Sequence, residues 1–331
     1  MGVVSPLTLN SLQLTLKGVE RVHVKKEILA RVEKTKIISD ARGTVKIVPD
    51  YDIVPKTMNY DETHCLVKSS FNLLSSPQTF NPGTYVFPFR FVLDQSTSGS
   101  FKYSSTAQDI DASLTYTLAA KAVPAGISFS HLKASTDISV REPARQALMP
   151  TELHREMPVT FLCCFNKGNI SMSAFLDKNA YVVGETAHLR LIVDNSQSSV
   201  NLRKCKFRLW RSMDLTADGY REVFREKVCE SHAPPVLSGQ IADIGFPLPL
   251  PPGIPTTTSG RLIITRYWLQ IKLDVPFSTD LEIEVPVQIY NQPAAPAAQP
   301  SCPSFPQEGP PTYMSTVNID AKMFETCKHQ V

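Results

Sequence analysis

Along most of this chain, apolar and polar residues alternate one by one. In Leu12-Gln13-Leu14-Thr15-Leu16-Lys17 the three leucines share one face and the polar residues the other. In Tyr85–Leu93 the row Tyr85, Phe87, Phe89, Phe91, Leu93 alternates with Val86, Pro88, Arg90 and Val92. Tyr267, Leu269, Ile271, Leu273 and Val275 form a third row, and Leu281, Ile283, Val285, Val287 and Ile289 a fourth. A period of two sends successive side chains to opposite faces of a sheet, so each stretch reads as a half-buried strand. Turn residues between such strands predict antiparallel sandwiches. Pro88 and Pro286 cannot donate to a ladder, which places their strands at an edge or a bulge. No long segment keeps a helical period. The fold class is all-β.

The pattern also repeats. Phe87-Pro88-Phe89 is followed 28 residues after its proline by Tyr116, within the strand ASLTYTLAAKAV. Phe246-Pro247-Leu248 is followed 20 residues after its proline by Tyr267. Each half then closes on a β-branched strand, Ile138 to Val140 and Ile283 to Ile289. Two copies of one sandwich are the economical reading: residues 1–145, a linker at 146–158, and residues 159–290. From residue 291 to 331 the composition changes, with seven prolines between Pro293 and Pro311. That tail is expected to be disordered, with polyproline-II character.

Composition narrows the function classes. A length of 331 residues suits two cores, and 42% hydrophobic with 20% charged residues is ordinary for folded domains. The net charge of +3 gives no case for nucleic acid. Without a long apolar run or a leader-like start, the chain reads as soluble and cytosolic. Seven irregularly spaced cysteines read as reduced thiols. Met1-Gly2 has Pro6 where a myristoylation site wants Ser or Thr, and Cys327 lies one residue too far from the end for prenylation. Membrane contact is therefore expected to be indirect and peripheral.

A family resemblance then comes into view. The stretch from Phe161 to Arg211, with its Cys163-Cys164 pair, Tyr181-x-x-Gly184-Glu185 and Asp194-Asn195-Ser196, resembles the start of the second domain of the alpha-arrestins, the arrestin domain-containing proteins. Asn81–Ser96 and Leu12–Val24 are similar to segments of the first domain of that family. The likeness covers about residues 3 to 290. It implies two tandem arrestin-like sandwiches and a non-enzymatic adaptor. Such adaptors join the cytoplasmic tails of membrane receptors or transporters to WW-domain ubiquitin ligases of the HECT type, at the plasma membrane and on endosomes. The ligase contact implied is Pro-Pro-x-Tyr, here Pro310, Pro311 and Tyr313. Two departures stand out. Gly184 precedes Leu209 by 25 residues, and the same spacing back from Leu16 falls before Met1, so the opening strand of the first sandwich is expected to be missing. The family commonly carries two tail motifs, and one is present here, which removes the gain from tandem binding.

Other constellations carry less. Cys163 and Cys164 have no metal-binding spacing; they read as small strand fillers, or as sites of palmitoylation or redox chemistry. Lys204, Lys206 and Arg208 alternate away from Cys205, Phe207 and Leu209, as a solvated face or a contact for an acidic partner. Trp268 alternates outward with Arg266 and Lys272, as a contact residue or as cross-strand packing. Hydrolase, P-loop and dinucleotide motifs do not occur, so no catalytic residues, metal or cofactor are expected. Two rival functions remain: a trafficking subunit similar to the cargo-binding subunit of retromer, which needs no tail motif, and a redox-regulated scaffold.

Overall fold

The structure, a computed structural model, describes residues 1–39, 45–94, 97–126, 131–142, 144, 148–161 and 165–291. Every regular element among them is a strand. The first half holds β1 (Gly2–Val3), β2 (Leu7–Ser39), β3 (Val45–Asn72), β4 (Gln78–Phe80), β5 (Gly83–Thr84), β6 (Phe101–Ser105), β7 (Ile110–Pro124) and β8 (Leu132–Ile138). The second holds β9 (Thr151–Phe161), β10 (Phe165–Leu176), β11 (Ala180–Val182), β12 (Thr186–Asp194), β13 (Cys205–Ala217), β14 (Tyr220–Ala233), β15 (Ile241–Pro249), β16 (Thr258–Ser259), β17 (Ile263–Leu273) and β18 (Leu281–Tyr290).

The repeat in the pattern is a repeat in topology. One sheet runs β3-β2-β7-β6, with β8 also on β7; its counterpart runs β14-β13-β17-β18-β11. Both repeat tyrosines are buried, and each hydroxyl donates to a loop carbonyl one strand earlier in the chain: Tyr116 to Ser98 (2.5 Å) and Tyr267 to Pro255 (2.6 Å). Burial pushes both phenols up, that of Tyr267 to about 12. Opposite the β13 sheet lies a second sheet, β15-β12-β10-β9, and leucines, valines and Phe207 from both fill the space between.

Two expectations need correction. Residues 151–158 are not linker: β9 runs Thr151–Phe161 and pairs with β10, turning Val159 inward and Leu153 and Met157 partly so. Tyr85–Leu93 is extended and alternates in burial, yet it belongs to no ladder among the described residues. Its counterpart β15 pairs with β12, and the first half has no equivalent of β12 among those residues. Alternation reports which side is buried, not whether a neighbour supplies hydrogen bonds. Here aromatic packing closes the sandwich, as Phe89 and Phe91 cover Leu14, Leu16 and Leu118 while Tyr85 and Phe87 pack on Phe80. Pro286 lies at an edge as expected, since β11 pairs only with the last three residues of β18.

The β2–β3 pair continues to Ser39↔Val45, well past the core, as a ribbon of about 40 Å from Glu27 to Ser39. Pairing puts Leu29, Pro55, Ile53, Tyr51, Ile37 and Ile47 on one face, and Leu29, Ile37 and Ile47 are at least 67% exposed. An exposed apolar ribbon with two free edges invites association. Replacing the facing pair Ile37 and Ile47 by Thr should reduce light scattering at high concentration without moving the unfolding midpoint; unchanged scattering would mean that this face is inert.

Candidate functional site

The junction of the two sandwiches is built first. Inward positions of β2 continue from Leu16 through Gly18, Glu20, Val22 and Val24, all buried. Gly18 faces Tyr116, and a Cβ there would lie 2.6 Å from the tyrosine ring, so only glycine admits it. Val22 and Val24 share one core with Phe101, Ile110 and Leu114 of the first half and Met213, Leu215, Leu262 and Ile263 of the second. Glu20 is fully buried beside it. Its Oε2 accepts the backbone N–H groups of Arg261 (3.0 Å) and Leu262 (3.2 Å), while Oε1 has no partner among the described residues. Gly260 leaves room for this carboxylate, since a Cβ there would sit 1.6 Å from Oε1.

The tip of the β13–β14 hairpin completes the junction. Ala217 pairs with Tyr220 across Asp218-Gly219, whose φ values of 49° and 75° are those of the tight turn that Asp-Gly favours. Asp218 Oδ2 accepts the N–H of Asp61 (2.8 Å), and Glu62 Oε2 accepts that of Asp218 (3.0 Å). Tyr220 stacks on Tyr60 (4.3 Å, 13°), Phe224 on Tyr103, and Lys26 bonds Glu222 at 2.6 Å. Buried Arg211, paired with Glu226, also lies 4.9 Å from the Tyr103 ring centre. Apolar burial, reciprocal hydrogen bonds and ring stacking thus bind the two sandwiches into one scaffold.

The face carrying Lys204, Lys206 and Arg208 is largely self-neutralised. Lys206 bonds Asp274 at 3.1 Å, and Arg208 bonds Glu230. Burial works against the charged Glu230 carboxylate, but hydrogen bonds from Arg208 and Lys227 outweigh it and hold its pKa below the ordinary value. Lys204 lies just before β13 and is exposed. Half-buried cross-strand ion pairing accounts for Lys206 and Arg208 better than a cation cluster awaiting an anion.

Cys163 and Cys164 fall outside the described residues. Of the thiols that are described, Cys65 is exposed, Cys205 buried and Cys229 intermediate. Burial raises Cys205 to about 11 and also raises Cys229. Alkylation of the native chain near pH 8 should therefore modify Cys65 and spare Cys205 until the protein unfolds; equal rates would show that the β13 core opens readily.

Pro310, Pro311 and Tyr313 also lie outside the described residues, and the scaffold they follow ends at Tyr290. Residues 166–294 match the family model for the arrestin (or S-antigen) C-terminal domain. Arrestin domain-containing protein A of Dictyostelium discoideum is 23% identical over 244 residues, 72% of this chain and 40% of its own length. Human arrestin domain-containing protein 4 is 25% identical over 212 residues, 63% of this chain and 49% of its own. The chain thus spans less than half the length of either relative.

Proposed function

We propose that this chain, whose residues 166–294 match the arrestin C-terminal domain, is a non-catalytic adaptor of the alpha-arrestin type that brings a WW-domain ubiquitin ligase of the HECT type to membrane cargo. Its substrates in that role are the cytoplasmic tails of receptors or transporters, and its place of action is the cytoplasmic side of the plasma membrane and of endosomes. One observation carries the reading: Pro310-Pro311-Thr312-Tyr313 follows an arrestin fold within reach of a proline-rich stretch.

The chemistry fits. Prolines restrict the chain to polyproline II before binding, so little backbone entropy is lost on docking. Pro310 and Pro311 stack in an aromatic groove, and Tyr313 fills the neighbouring pocket with its ring and hydroxyl. The welded junction suits such a role, because a stiff scaffold holds cargo at a fixed distance from the tail. Purified WW domains from a HECT ligase, immobilised on beads, should retain the full chain and fail to retain Tyr313→Ala. Equal retention of both would remove the tail from the mechanism.

A further inference from the structure

The two repeated sheets treat the charge on their outer faces differently. On the β13 sheet, Lys206 meets Asp274, Arg208 and Lys227 meet Glu230, and Lys272 meets Asp280 and Glu282. Trp268 packs there against Trp210 and under Arg225. On the matching face of the β2 sheet the cations are left bare. Pairing puts Lys17 directly opposite Lys68, Lys121 directly opposite Lys133, and Arg21 and Lys102 on either side of Ser113. Lys121 is half-buried and the other five are exposed. Among the described residues, none of the six has an ion pair or a side-chain hydrogen bond. In the rows from Gln13 to Arg21 the one described carboxylate on this face is Asp137, and Thr117 bonds it. That surplus exceeds the net charge of +3 of the whole chain. Lysines opposed on adjacent strands have Cβ atoms about 5 Å apart and repel, so the arrangement costs the fold stability.

The layout selects among anions. The three pairs stand about 13 Å apart along the strands and spread across the width of the sheet, over an area rather than along a line. No aromatic ring stands among them to stack a base. A cavity of about 280 Å³ beside Arg21 and Lys102 is also lined by Asp61, Glu62 and Asp111, which oppose an anion inside it. The outward register of β2 then runs on into the ribbon, where Leu29, Ile37 and Ile47 are exposed. An acidic or phosphorylated peptide would meet the cations and leave that hydrocarbon in water. A planar anionic bilayer meets the array with its headgroups and accepts hydrocarbon at its interface.

We propose that the outer face of the β2 sheet docks directly on an anionic lipid bilayer, through Lys17, Arg21, Lys68, Lys102, Lys121 and Lys133. The contact needs neither a lipid anchor nor the tail motif, so it is independent of the ligase reading.

The experiment sediments the full chain with vesicles of phosphatidylcholine, alone or mixed with phosphatidylserine. Wild type should pellet with the anionic vesicles, stay in solution with the neutral ones, and be released by high salt. Each lysine near such a surface strengthens binding about fivefold. Lys17→Gln, Lys68→Gln should therefore bind on the order of twentyfold more weakly, and adding Lys121→Gln and Lys133→Gln should bring the loss to several hundredfold. Both variants remove opposed like charges, so the unfolding midpoint should hold or rise. Lys167→Gln, Lys204→Gln takes the same charge from exposed positions of the second sandwich and should bind like wild type, as should Tyr313→Ala. Pelleting that ignores phosphatidylserine, or equal binding by the two double variants, would overturn the proposal. A multiply phosphorylated peptide is titrated alongside: if it binds through these lysines while the vesicles do not, the face belongs to a peptide and the bilayer reading falls. A chain that binds vesicles but no WW domain keeps this face and loses the ligase contact.

Discussion

Gly260→Ala should destabilise the protein by about 2 to 3 kcal/mol, a large effect for one added methyl group. The new Cβ would lie 1.6 Å from Glu20 Oε1, so either the carboxylate or the β16–β17 connection must move. Glu20 cannot move cheaply, because its other oxygen holds the N–H groups of Arg261 and Leu262 in a buried junction. Glu20→Ala should itself cost about 3 kcal/mol, since it leaves one buried and one part-buried donor unmet. The informative quantity is the pair. With the carboxylate gone, the methyl group at position 260 enters space already vacated, and the double variant should recover about 2 kcal/mol relative to the sum. Denaturant unfolding of the four proteins, with slopes compared, reads this coupling. Additive penalties would mean that Glu20 does not occupy the space beside Gly260.

Much of the fold was legible because alternation is a direct record of burial. The rows Leu12–Leu16, Tyr267–Leu273 and Leu281–Ile289 point inward as their spacing requires. The tyrosine in each half marks the same place in both sheets, buried with its hydroxyl on a loop carbonyl. Ladder partners were not legible. Tyr85–Leu93 has a strand's alternation but aromatic neighbours in place of a paired strand, and only three-dimensional placement tells these apart. Residues 151–158 failed in the other direction. His154, Arg155 and Glu156 make a polar run on the outermost strand of its sheet, which from composition alone looks like a connection.

The junction was half legible. Extending the row Leu12-Leu14-Leu16 by two more steps passes through Gly18 and reaches Glu20, an acidic residue at an inward position followed by Val22 and Val24. A carboxylate there signals a buried acceptor needing donors from elsewhere. Nothing in the spacing says that those donors come from residue 261, which is 241 positions away. Asp218-Gly219 is likewise a readable hairpin turn whose docking partner, Asp61 and Glu62, is not. Lys204, Lys206 and Arg208 looked like a basic stripe because the carboxylates that neutralise two of them come from elsewhere in the chain, Glu230 on β14 and Asp274 just past β17.

The central claim rests on one aromatic ring. Removing a side chain that fills an interface pocket typically costs about 2 kcal/mol or more, which is roughly a thirtyfold loss of affinity. Pro311→Ala should also weaken binding, through lost groove packing and a less restricted backbone. Thr312→Ala should change little, because the third position of the motif faces away from the groove. Phosphorylation of Tyr313 would place about two negative charges in a largely apolar pocket and block binding. The deciding measurement is a calorimetric titration of the peptide spanning Ser304 to Val317, with and without Tyr313→Ala, against isolated WW domains of HECT ligases. Binding by the native peptide with a loss of about thirtyfold for the variant is the result this account predicts; equal affinity, or no binding by either peptide, would contradict it.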